Sequence, residues 1–298
     1  MKILILGGTG FIGESVARSF TDHECVTVGS EYHNFEKEID QGLVDRDFDV
    51  IINSCGWFGG IPFNRKHGQE VYHKNSLINS NIGKLIQTIN PQRYIRIVSG
   101  CVYPSIEGEL SEEMIDHTHE YHETVKWSAL ANKEDIDFLR QSDLNYDILL
   151  VTNTYGPGEH LSFDKSHIVG SVINKFLKDT RSVELFGTGI ANRDFLFSLD
   201  LGKIIKKIID NTVTTRDLYN ISTGTTYRIK DVVELIRKEF NPNAELIWGN
   251  DADNGVLEKS LNNTKLIDWV GPINFTTIEK GIKETVDYFK KSTTHHQQ

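Results

Sequence analysis

Apolar residues recur along this chain with two different periods. Ile3-Leu4-Ile5-Leu6 is an unbroken apolar run, the pattern of a parallel strand covered on both faces. Behind it come glycines, and then Ile12, Val16 and Phe20 at helical spacing. Strand-like runs return at residues 25–28, 49–53, 94–98 and 148–151. Helical periodicity fills the intervals, over about residues 70–89 and again in a stretch ending near Leu139. Strands alternating with helices predict an α/β fold with a doubly wound parallel sheet and right-handed crossovers.

The second half is less regular. Leu218–Ile221 reads as a strand, Ile229–Phe240 as a helix, and residues 183–186 and 245–248 as short strands. There is no internal repeat, low-complexity block or long linker. The expected division is a dinucleotide-binding domain over 1–156, with contributions from about 194–222, and a smaller C-terminal α/β lobe over 157–298 for the substrate.

Composition narrows the partners. A chain of 298 residues with formal net charge −10 lacks the basic surface that nucleic acid requires. Cys25, Cys55 and Cys101 are odd in number and have no CxxC spacing, which argues against a disulfide framework or zinc site. Reduced thiols point to the cytoplasm, and no metal is expected. No apolar run approaches the roughly 18 residues of a membrane span, and residues 2–6 are too short for a signal core. Residues 292–298 are polar and expected to fray.

The segment Gly7-Gly8-Thr9-Gly10-Phe11-Ile12-Gly13 follows a strand and opens a helix, the setting of a Rossmann dinucleotide site. Gly7 permits the tight turn, Gly10 admits the pyrophosphate and Gly13 lets helix and strand pack closely. Thr9, Phe11 and Ile12 complete the cofactor-binding loop at the helix N-terminus, where N–H groups favour phosphate. NAD usually needs an acid at the end of the second strand, but Gly29 stands there, followed by Ser30 and Glu31. Ser30 is a further cofactor-binding candidate. The displaced acid favours NADP, and the absence of a nearby Arg for a 2′-phosphate keeps NAD open.

Ser99-Gly100-Cys101-Val102-Tyr103-Pro104 follows another apolar strand, so its hydroxyl and thiol are expected beside the nicotinamide. With Gly59-Gly60-Ile61, Thr152-Asn153-Thr154-Tyr155-Gly156-Pro157, Ser166-His167-Ile168, Phe186-Gly187-Thr188-Gly189 and Arg193-Asp194-Phe195-Leu196, the chain resembles the extended short-chain dehydrogenase/reductase family. It is most similar to members that epimerise and reduce a GDP-linked 4-keto-6-deoxyhexose. The resemblance implies that Ser99 bonds the C4 oxygen, and that Cys101 and His167 are the base and acid that epimerise next to the ketone. It implies that Lys126 binds the nicotinamide ribose and that Asn153 contacts the cofactor. It also implies that Lys175, Arg193 and Lys259 hold the nucleotide diphosphate, and that the enzyme is a homodimer.

One position departs from the family pattern. The Tyr expected four residues before Lys126 is His122, and Tyr121 stands one residue earlier. Residues four apart share a helix face, whereas five apart are turned about 100° further. His122 is the proton donor, or Tyr121 reaches in by a shifted helix start, or the reductase step is weakened. The alternatives to an epimerase/reductase are a 4-reductase or C4 epimerase of another nucleotide sugar, and a catalytically weakened dinucleotide-binding regulator.

Overall fold

The structure, a computed structural model, describes all residues except 32, 38–40, 45–46, 118–119, 163–165, 212, 252–254 and 296–298, and the side chains of 41, 44, 61, 211 and 293–295. The first half runs β1 (Lys2–Leu6), α1 (Phe11–Ala17), β2 (Glu24–Val28), α2 (Gln41–Val44), β3 (Val50–Asn53), α3 (Ile61–Ile89), β4 (Arg93–Ser99), β5 (Gly108–Leu110), α4 (Lys126–Gln141), β6 (Tyr146–Val151) and β7 (Asn153–Tyr155). The second runs α5 (Ile168–Lys178), β8 (Ser182–Leu185), β9 (Asn192–Phe197), α6 (Ser198–Asn211), β10 (Leu218–Ile221), β11 (Thr226–Arg228), α7 (Ile229–Phe240), β12 (Glu245–Trp248), β13 (Glu258–Leu261), α8 (Thr264–Val270) and α9 (Ile278–His295).

Six strands form one sheet in the order β2-β1-β3-β4-β6-β10, and every pairing in it is parallel. Alternate residues of each strand feed opposite faces. Leu4, Leu6, Ile51, Tyr94, Val98, Ile148 and Leu150 pack against Ile78, Ile82 and Leu85 of α3 and Ile136 and Leu139 of α4. Ile3, Ile5, Ile52, Ile95, Ile97 and Leu149 pack on the other side, against Val16 of α1 and Ile204, Ile205 and Ile208 of α6. Burial on both faces explains why these strands read as unbroken apolar runs. There are two smaller sheets, β11-β9-β13-β5 and β12-β8; β8 and β9 share a third core with α5, α7 and α9, whereas Leu110 of β5 and Leu261 of β13 join the first.

Two arginines interrupt β4 and are paired inside the protein. Arg93 Nε donates to Asp147 at 2.8 Å. Arg96, on the α3–α4 face, is 2% exposed and donates to Asp135 of α4 at 2.6 Å, to Asn79 of α3 at 3.1 Å, and to the Cys55 and Ile97 carbonyls at 3.0 and 3.1 Å. Burial opposes its charge, but Asp135 outweighs that and holds its pKa above the ordinary value. The cluster pins both helices to the strand that ends at Ser99.

The sequence expectation is corrected at several boundaries. α3 starts at Ile61, not near 70, with Pro62 in its first turn and a kink at His67 (φ −114°, ψ 20°). The polar run 64–70 hid that start because it carries little apolar periodicity. α1 stops at Ala17 rather than reaching Phe20. β8 ends at Leu185, and Phe186 turns outward, 56% exposed. α9 continues through His295, where fraying was expected from 292. Among the described residues, no helix is long and apolar enough to cross a membrane.

Candidate active site

The carboxyl ends of the six parallel strands share one edge of the sheet. β1 is flanked by β2 on one side and β3 on the other, so the chain changes direction across the sheet at Leu6, which makes this edge a crevice. The glycine loop fills the switch point. Gly7 and Gly8 N–H groups both donate to the Val28 carbonyl, at 2.8 and 3.1 Å. Gly7 takes φ +75°, a conformation open to glycine. A Cβ on Gly13 would stand 2.2 Å from the Gly7 carbonyl oxygen, so loop and helix meet backbone to backbone. A Cβ on Gly10 would meet only that oxygen, at 3.3 Å, and no side chain caps α1 at Gly10. The first-turn N–H groups therefore face an open cradle of the kind that receives a pyrophosphate.

The end of β2 explains its glycine. A Cβ on Gly29 would lie 1.7 Å from Thr9 Oγ1, so glycine is what lets Thr9 rest there. The missing acid comes back from two residues on: Thr9 Oγ1 donates to Glu31 Oε2 at 2.8 Å. Glu31, the acid the sequence offered in place of the missing one, thus reaches the loop, with Thr9 as its partner. Ser30, between the two, is exposed.

Ser99 ends β4 and caps a 3-10 turn, Gly100–Val102, its Oγ accepting the Cys101 N–H at 3.2 Å. Gly100 is wedged between Leu261 and the Val151 carbonyl, each 3.1 Å from where a Cβ would be. Tyr103 anchors the turn from behind by donating to Asn220 of β10 at 2.8 Å. Cys101 is half-buried, and Arg193 and Lys259 both feel its charge. Those two cations are register partners across β9 and β13. Burial lowers the pKa of each, and Arg193 adds repulsion at Lys259. Two partly buried cations side by side suit a doubly charged anion.

α4 begins at Lys126 and packs on the Ser99 turn. The His122 carbonyl accepts N–H groups from Val125 and Lys126, at 3.0 and 2.9 Å, so His122 is one helical turn before Lys126. The Thr124 N–H donates to His122 Nδ1 at 3.4 Å. The same Nδ1 lies 2.8 Å from the Thr124 hydroxyl. Tyr121 is turned elsewhere: its charged neighbours are Lys133, Asp137 and Asp116, and burial raises its pKa. The Lys126 ammonium lies 5.5 Å from the centroid of the adjacent Trp127 ring.

His167 is the N-cap of α5, and desolvation by the protein packed around it, together with His160, lowers its pKa. Behind it lies Glu159, a buried acid that sequence reading did not single out; a lone Glu in a loop carries no pattern. Lys175 donates to the Glu184 carbonyl at 2.6 Å and lies 5.1 Å from the Phe186 ring centroid, its pKa lowered by burial. Asn153 Nδ2 donates to the Asp194 carbonyl at 2.9 Å.

Known proteins are similar to this chain over most of its length. The model of the NAD dependent epimerase/dehydratase family matches residues 3–222. GDP-L-colitose synthase of Yersinia pseudotuberculosis is 26% identical over 309 residues, spanning 97% of this chain and 98% of that one. GDP-L-fucose synthase of Azorhizobium caulinodans is 27% identical over 305 residues, spanning 97% and 96%. A GDP-L-fucose synthetase from Naegleria fowleri superposes with TM-score 0.88 at 21% identity, over 98% of this chain and 94% of that one. With the glycine loop at the switch point and a family match over most of its length, this chain belongs to the NAD dependent epimerase/dehydratase family, as an extended short-chain dehydrogenase/reductase enzyme most like the GDP-L-fucose synthases.

Proposed function

We propose that this enzyme acts on a GDP-linked 4-keto hexose, epimerising next to the ketone and reducing it at C4. The observation that carries the reading is the placement of Ser99 and Cys101 on one turn with the Arg193–Lys259 pair beside them. A bound nicotinamide cofactor, NADP with NAD as the alternative, supplies the hydride.

The residues divide the remaining work. Arg193, Lys259 and Lys175 hold the diphosphate end, as the nucleotide names of the relatives suggest. Ser99 Oγ already accepts one N–H, and its hydrogen is available to the C4 oxygen. That polarises the ketone and acidifies the flanking carbons. Cys101 removes a proton from such a carbon, and His167 returns one on the opposite face.

Reduction is the weaker half. His122 stands where the family has Tyr, and an imidazole is shorter than a phenol. We therefore read the chain as a better epimerase than reductase. A cytoplasmic homodimer completes the proposal, supported by three free cysteines and by the family resemblance.

Deuterium exchange tests it. Wild-type enzyme in D₂O should place deuterium at carbons flanking the ketone, and Cys101→Ser should suppress this by roughly 10²–10⁴-fold. Single-turnover NADPH oxidation should be slow and should fall further in His122→Phe but not in Tyr121→Phe. Undiminished exchange in Cys101→Ser removes Cys101 as the base. No turnover with any nucleotide 4-keto sugar favours the regulator reading.

A further inference from the structure

Glu159 is a buried acid beside His167. It is 4% exposed, and its Oε1 accepts the His167 backbone N–H at 3.2 Å. A Cβ on Gly170 would stand 2.8 Å from both Glu159 Cδ and Oε1, so the carboxyl is pressed against the first turn of α5. His167 is extended at the N-cap (φ −83°, ψ −173°) and provides no side-chain cap. An acid eight residues upstream fills that role. The arrangement is costly, since Glu159 Oε2 and Ser166 Oγ are both buried without a hydrogen-bond partner. A helix start needs only a Ser, Thr, Asp or Asn at the N-cap itself.

We propose that Glu159 is a positioning residue for His167, fixing the backbone from which the imidazole reaches into the crevice. The proposal rests on the reading of His167 as the proton-returning group. Burial pushes the Glu159 pKa up to about 8, against the Gly170 and His167 N–H groups that act to lower it. At neutral pH the side chain is therefore an uncharged acceptor. It holds the His167 N–H without placing a negative charge beside an imidazole whose own pKa is lowered.

Two features separate positioning from simple support of the helix. The first is that an uncharged amide should replace the acid. The second is that the glycine at 170 controls the same contact from the other side. In Glu159→Ala the exchange of substrate protons with D₂O should slow by roughly 10²-fold, the scale of a misplaced catalytic group. KM for the GDP-sugar should stay within about threefold, because this residue touches none of the groups assigned to the diphosphate. Glu159→Gln should restore exchange to within about threefold of wild type. Gly170→Ala, a change that favours helix, should reproduce the loss by evicting the carboxyl, with native circular dichroism.

His167→Asn is the reference. If it loses exchange while Glu159→Ala and Gly170→Ala keep it, the positioning role is wrong and the site reading stands. A Glu159→Gln variant as slow as Glu159→Ala also overturns the proposal. Full exchange in His167→Asn overturns the site reading and the positioning role with it.

Discussion

Replacing Arg96 by Met tests whether the buried ion cluster holds the catalytic strand. The change keeps the length of the side chain and removes five N–H donors. It leaves the Asp135 carboxylate buried and unpaired, and strips partners from Asn79 Oδ1 and from the Cys55 and Ile97 carbonyls. Breaking a buried pair from one side costs about 3–5 kcal/mol. A chain of this size loses about 2 °C of Tm per kcal/mol, so Tm should fall by roughly 6–10 °C. The double variant Arg96→Met/Asp135→Leu removes both charges and should recover most of that loss, since an apolar replacement of a buried pair is often neutral. Urea unfolding of wild type, both singles and the double gives the coupling energy. A single-variant loss below about 1 kcal/mol, or a double no better than the singles, would refute the claim that charge pairing governs this cluster.

Other outcomes follow from the site. Thr9 holds Glu31 at 2.8 Å, where a carboxylate opposes a 2′-phosphate; Glu31→Ser should raise the NADPH-to-NADH ratio of kcat/KM by roughly 5–30-fold, about 1–2 kcal/mol of exposed charge repulsion, and an unchanged ratio would remove Glu31 from the ribose site. Glu159 has a folded pKa of about 8 against an ordinary 4.5, so its protonated form favours the folded state fully below about pH 4.5 and that contribution is lost as pH rises towards 8. The stability of wild type relative to Glu159→Gln should accordingly fall by up to about 1.4 kcal/mol per pH unit across pH 5–8, measured by urea titration; a flat difference would place Glu159 in water.

The sheet was legible because strands buried on both faces are apolar at nearly every position, as in β1 and β6. The glycine loop was legible because its chemistry is local. What escaped detection depends on distant partners. β9 and β13 carry Arg193 and Lys259, charges that obscure a strand until their pairing is known. The start of α3 lies in a polar run whose few large apolar residues pack sideways, Phe63 against Trp57 and His67. In the site, Ser99, Cys101 and His167 sit in recognisable segments. The His167–Glu159 contact arises only when a loop folds back, so Glu159 does not stand out in the chain; Glu31 was legible as the displaced acid, though not its bond to Thr9. The shared helix face expected of His122 and Lys126 meets a later helix start: α4 begins at Lys126 behind a non-helical Val125, and only the Lys126 N–H bond to the His122 carbonyl links the two.

The last sheet strand to be synthesised has a consequence at the ribosome. β6 pairs with β10, and β5 pairs with Lys259–Leu261 of β13. A nascent chain that has just exposed β6 therefore carries a bare sheet edge, the kind that recruits other strands or chaperones. Asn220, which holds Tyr103 behind the Ser99 turn, arrives with β10, and the Lys259 cation arrives later still. At about 5–20 residues per second, roughly 5–20 s separate emergence of β6 from emergence of β13. The reacting turn is thus completed only once β13 has emerged, and a chain released before then should carry the cofactor loop but lack the means to fix its nucleophile.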